Sequence, residues 1–281
     1  CLRTHAQRGE LSGPHPGPRQ RKTPTKPKEM KLIFCLFLGL SLASHSQLRI
    51  EPKGFNMNES DLRSIFKSTL TALPKAENFK DPSLFVSKHQ RGPITLFQRT
   101  PRGEVAIQLN SGNYYYSQCI YQFAHELAHV RADFQPIDHE NKWLEETLCE
   151  TASLFVLRKL SKEWEKSAPN DALKNYRKHL ATYSAKVMRS RKILTTKTSP
   201  SFYQRHKETL RKSATERELN GAFANLLLPL FEKEPIHWKI LPKFPRIRGS
   251  NLAEHFAAWR KATSENHHGF LNRLETLFLK K

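Results

Sequence analysis

Apolar positions along the chain follow two rhythms. Leu62, Ile65, Phe66, Leu70 and Leu73 recur at helical spacing behind Asn58 and Ser60, which predicts a capped amphipathic helix over 58–73. Three short β-prone stretches follow, over 84–86, 94–97 and 105–109. The turn Arg99-Thr100-Pro101-Arg102-Gly103 separates the last two and predicts a hairpin. Beyond Ser117 the rhythm is helical almost throughout, predicting helices over 117–131, 142–160, 171–190, 201–213, 216–233, 250–263 and 267–279. The one long polar connection, 189–200, is expected to act as a hinge between halves. A small sheet with an N-terminal helix, then a helix pair and a helical array, predicts an α+β chain without internal repeats.

The first 46 residues stand outside this pattern. Residues 1–29 hold five prolines and seven Lys/Arg with almost nothing apolar after Leu11, a composition that does not build a core. Met30-Lys31 then leads into an apolar run over 32–43, too short to span a bilayer and of the length of a secretory h-region. Ser44 and Ser46 place small residues where a cleavage site needs them. The expectation is therefore a start at Met30, a signal peptide over 30–46 cleaved near Ser46, and an exported mature chain. Within that chain, 47–160 is expected to carry the chemistry and 161–281 to form a helical subdomain.

The chemistry is expected at His125-Glu126-Leu127-Ala128-His129. Two histidines four residues apart on a helix project from one face and can ligate one metal ion. Glu126 is rotated by about 100° and can reach a water held by that metal. Ile120, Phe123, Ala124, Leu127 and Ala128 make the helix largely buried, so these polar groups need a partner to offset desolvation. Ala132 and Gln135 stand where the metzincin extension requires glycine and histidine, which excludes that class.

Downstream, Trp143-Leu144-Glu145-Glu146-Thr147 opens a second helical segment. It resembles the second metal-binding helix of gluzincin-type zinc metallopeptidases, in the W-L-N-E-G form of the aminopeptidase branch. Glu146 falls at the ligand position. Glu150, four residues on, matches the carboxylate that orients a ligating histidine in the thermolysin branch. The resemblance covers roughly residues 94–155, and it departs in a short spacing, in Glu145 replacing Asn, and in the flanking segments. It places the chain with the zincin superfamily and with no particular peptidase family.

That resemblance implies a zincin-like fold with Zn2+ held by His125, His129 and Glu146, with Glu145, Glu150 and His139 as other ligand choices. It implies peptide-bond hydrolysis with Glu126 as general base and Glu150 behind a ligating histidine. A peptide or protein substrate would lie along an edge strand, for which Val105–Leu109 is the choice. Tyr203, His206, His237 and the run Tyr114-Tyr115-Tyr116 are the oxyanion-donor choices. Two other functions fit the same residues: a catalytically silent zincin-fold binding module, or a polyanion-binding protein with a structural metal.

Composition refines this picture. Apolar residues make up 38% of 281, with 17 Phe, which excludes a disordered chain. Four cysteines are too few for a disulfide scaffold, and only Cys119 and Cys149 lie beyond residue 46. They are expected as buried thiols or as a clamp between the two ligand helices. The net charge of +21 is uneven: 158–217 carries 17 Lys/Arg against 5 acidic residues, whereas 47–157 has 12 against 13. The basic segment is expected to be either solvated helix faces or a contact for an anionic polymer or lipid headgroup. No motif for sequence-specific nucleic-acid recognition accompanies it.

Overall fold

The first helix forms where its cap and its apolar face coincide. The Asn58 side chain accepts from the Ser60 backbone N–H, Glu59 and Asp61 sit in the first turn, and Leu62, Ile65, Phe66 and Ala72 are buried. The computed structural model describes residues 48–279 except 77 and 134. The expected extension over 1–29 and signal peptide over 30–46 lie outside the described residues.

The element order is β1 (Leu48–Ile50), α1 (Glu59–Ala72), β2 (Leu84–Lys88), β3 (Ile94–Thr95), β4 (Val105–Leu109), α2 (Tyr116–Arg131), α3 (Lys142–Ser167), α4 (Asp171–Arg189), α5 (Ser199–Lys212), α6 (Arg217–Lys233), α7 (Leu252–Ala262) and α8 (His268–Thr276). A 3-10 segment, Pro235–Lys243, joins α6 to α7. The fold is α+β, as the sequence pattern predicts. Among the described residues, no helix is long and apolar enough to cross a membrane.

The sheet runs β1-β2-β4-β3. β1, β2 and β4 are parallel, and β3 folds back antiparallel on β4 with Thr95 opposite Ile107. The predicted hairpin is thus present, but it overturns the choice of Val105–Leu109 as the substrate edge. β4 has β2 on one side and β3 on the other, so both its hydrogen-bonding edges are taken. The outer edge beside α2 belongs to β3.

One buried apolar cluster extends from Ile50 to Phe278. α3 runs through residue 160 without a break, and Trp143 in its first turn packs on Tyr203, Phe223 and Phe278 at ring distances of 5.5, 5.8 and 5.4 Å. The connection after α4 is mostly exposed and is tied to the body of the fold near its start. Arg191 from this loop is anchored against Glu150 and Tyr121, and Asn225 Nδ2 donates to Met188 O at 2.9 Å. Gly221 leaves room for Arg191, because a Cβ there would meet Arg191 Nε at 2.7 Å.

Candidate metal centre

α2 and α3 lie antiparallel, as their cross-contacts show: Ser153 Oγ donates to Tyr121 O, Glu150 faces His125, and Glu145 faces His129. Both helices are apolar on most sides, which buries the polar residues between them. The α2 terminus is fixed by Arg131, 1% exposed, whose Nε and Nη2 donate to the two Asp81 oxygens at 2.9 Å each. The same guanidinium donates to Leu70 O at 3.0 Å and to Leu73 O.

The sequence-predicted residues converge. Glu146 Oε2 lies 3.3 Å from His125 Nε2, and Glu146 Oε1 lies 3.5 Å from His129 Nε2. Ligands held about 2.0–2.2 Å from a tetrahedral zinc stand about 3.3–3.5 Å apart, so these separations match edges of a coordination tetrahedron. A further donor also faces the pair: ligand atoms of His125, His129 and Cys149 lie within 4.8 Å of one another and could hold a metal ion. Cys149 follows Glu146 by three residues and so shares its helix face. That spacing was the available signal for a ligand role, which the sequence reading did not consider.

Each histidine is backed by a carboxylate, and each carboxylate by an arginine. His129 Nδ1 lies 2.9 Å from Glu145 Oε1, and Arg246 Nη2 lies 3.3 Å from Glu145 Oε2 while also donating to Ala132 O. His125 Nδ1 lies 3.6 Å from Glu150 Oε1, an ion-pair distance, and Glu150 is bound by Tyr121 Oη and Arg191 Nη2. Glu145 therefore sits behind His129 in the manner expected of Glu150 alone. Tyr121, Arg191 and Arg246 had no sequence signal, because each reaches the site from a position set by tertiary packing.

Glu126 is 4% exposed, close enough to His125 to favour its charged form, and its carboxylate reaches β3. The Thr95 hydroxyl donates to its Oε2 at 2.8 Å. Burial opposes charge on both imidazoles, but Glu146 and the neighbouring carboxylates outweigh it and hold His125 above its ordinary value. His129 is raised further, against its own burial, by Cys149 and Glu146. Burial would raise Glu146, yet the two histidines bring it well below the usual carboxylate range. Burial pushes the Cys149 thiol up to about 12, against the opposing pull of His129. Four carboxylates around two imidazoles form an electronegative pocket suited to a cation.

The cluster opens on a cleft of about 1050 Å³, whose lining includes Thr95, Tyr121, Glu126, Arg191, Phe202 and His206. Of the expected oxyanion donors, only His206 lines it. Tyr203 is buried against Trp143, and His237 pairs with His267 and Glu234. Tyr114 and Tyr115 are exposed, and Tyr116 donates to Asp61. His139 is stacked on His255 at 6.0 Å. Cys119 and Cys149 form no disulfide: Cys119 contacts Ser111 and Met57, whereas Cys149 sits beside His129.

No protein-family model, no curated protein and no solved structure matches the chain. The class defined by fold and site together is an α+β chain with a His/His/Cys cluster and a carboxylate, Glu146, facing both histidines beside a cleft.

Proposed function

We propose that the chain is a zinc-dependent peptidase of zincin type, exported by its N-terminal segment. The observation that carries this reading is the Glu146 carboxylate facing both Nε2 atoms at 3.3 and 3.5 Å, with Glu126 held by Thr95 on the cleft side. His125, His129 and Glu146 would hold the ion, because their mutual distances suit zinc and their charges suit a divalent cation. Bound zinc would supply the positive charge that makes a water nucleophilic near neutral pH and polarises a carbonyl.

The remaining steps belong to the chain. Glu126 takes the proton of the attacking water at a carboxylate oxygen and passes it to the leaving nitrogen. Thr95 keeps that carboxylate aimed at the cleft. The outer edge of β3 offers backbone groups to an extended peptide, which brings a carbonyl alongside the histidines. Arg191 Nη1, buried without a hydrogen-bond partner beside the cleft, is a donor for the developing oxyanion. Glu145 and Glu150 fix the ring orientation of the two histidines.

Cys149 supports a second reading. A set of two histidines, Glu146 and Cys149 would complete four-coordination and leave no open position, which is a structural site. Glu146 is favoured as third ligand, with the fourth position open, because its two oxygens face both Nε2 atoms at 3.3 and 3.5 Å. A digest of an unbiased peptide library by wild type and Glu126→Gln tests the choice. Chelator-sensitive cleavage by wild type alone is expected; cleavage by neither, with zinc bound in both, would favour the structural site.

A further inference from the structure

The cleft lining carries both apolar and basic side chains. Along β3 and the α2–α3 connection, Ile94, Phe97 and Ile137 line the cleft and are 42%, 50% and 39% exposed. They are three of the eight large apolar residues exposed among the described residues, a concentration that marks a binding surface. Lys142, Lys192 and Arg217 also line the cleft, and none pairs with a carboxylate among the described residues. Lys192 rests over the Phe202 ring at 5.3 Å. Arg191 is not counted with them, since Glu150 already holds it. The carboxylates that line the cleft are Glu126, Glu145, Glu146 and Glu150, gathered at the histidines, and Glu218 away from them.

We propose that the cleft selects extended acidic peptide segments, seating apolar side chains against Ile94, Phe97 and Ile137 and acidic side chains against Lys142, Lys192 and Arg217. The inference rests on the peptidase reading and specifies its substrate class. A strand added to β3 points alternate side chains to opposite faces, so one segment can meet both the apolar and the basic lining residues. It also gives part of the basic segment 158–217 a role, because Lys192 and Arg217 belong to it.

The test uses zinc-loaded full chain carrying Glu126→Gln and three fluorescent decapeptides identical except for Asp/Glu, Asn/Gln or Lys/Arg at alternate positions. A few partly exposed ion pairs amount to about a tenfold difference, so the acidic peptide should bind about tenfold tighter than the Asn/Gln peptide at low salt. High salt should shrink the difference, and adding Lys192→Glu with Arg217→Glu should invert it. Equal binding of the three peptides, or a preference that survives the double charge reversal, would overturn the proposal. Wild type run on the same peptides separates the two ideas. Cleavage without charge preference sinks the selectivity alone; acidic preference in binding without any cleavage sinks the peptidase reading alone.

Discussion

The Thr95 hydroxyl donates to Glu126 Oε2 at 2.8 Å, joining the edge strand of the sheet to the carboxylate proposed as base. Strand and base are thereby set in one geometry, so a peptide added to β3 is registered against Glu126. Replacing Thr95 by Val keeps the shape and removes the donor. Misplacing a catalytic group costs about a hundredfold at most for a displacement near 1 Å, so turnover should fall about tenfold to a hundredfold. Zinc content should be unchanged; loss of zinc in this variant would show that Thr95 serves the metal pocket instead.

The two arginine–carboxylate pairs give a second expectation. Arg246→Met frees Glu145 behind His129, and Arg191→Met frees Glu150 behind His125. Groups behind a metal ligand are typically worth about 10–100-fold in affinity, and competition with a chromogenic chelator should show a loss of that size for each variant. Gly221→Ala should mimic Arg191→Met in part, since the added Cβ would meet the Arg191 side chain.

Arg131 lies outside the cleft and supports the end of α2. Removing one partner of a buried, fully hydrogen-bonded pair costs about 3–5 kcal/mol, because the other charge is left buried. Arg131→Ala should lose stability by that amount in denaturant unfolding, with Asp81→Ala close to it. If either variant unfolds like wild type, the pair contributes no net anchoring.

His139 and His255 stack in the interior, and none of their ring nitrogens has a hydrogen-bond partner. Burial, followed by the neighbouring His139 and Arg246, pushes His255 down to about 3, and burial also lowers His139. The unfolded chain therefore binds more protons below about pH 6.5, and stability present above that value is lost as pH falls toward the folded pKa. For His255 alone the loss between about pH 6.5 and pH 4.5 is on the order of 2 kcal/mol. His255→Phe should flatten the acid limb of the unfolding midpoint relative to wild type; an unchanged limb would mean the ring is not buried neutral.

Much of this architecture was legible because the signals are local. The apolar period of α1 to α8 lies in neighbouring residues, and so does the turn that makes β3 and β4 a hairpin. β1 was missed because three residues are too few for a period, and Pro235–Lys243 because two prolines interrupt it. The order of strands was not legible. Whether β4 is an edge depends on β2 arriving beside it through a parallel crossover, which no local pattern encodes. The same division holds at the site. His125, Glu126, His129 and Glu146 are spaced by helix geometry, whereas Thr95, Arg191 and Arg246 reach the helix pair from 31, 41 and 101 positions away from their partners. Cys149 shares the Glu146 face by spacing, whereas its approach to both histidines depends on how α3 packs against α2.

Zinc content by mass spectrometry of wild type, Glu146→Ala and Cys149→Ser, purified side by side, tests the ligand set most directly. The account predicts about one zinc per chain in wild type and in Cys149→Ser, and its loss from Glu146→Ala. Zinc retained by Glu146→Ala and lost from Cys149→Ser would contradict it, and would make the centre a His/His/Cys site in which Glu146 holds no metal.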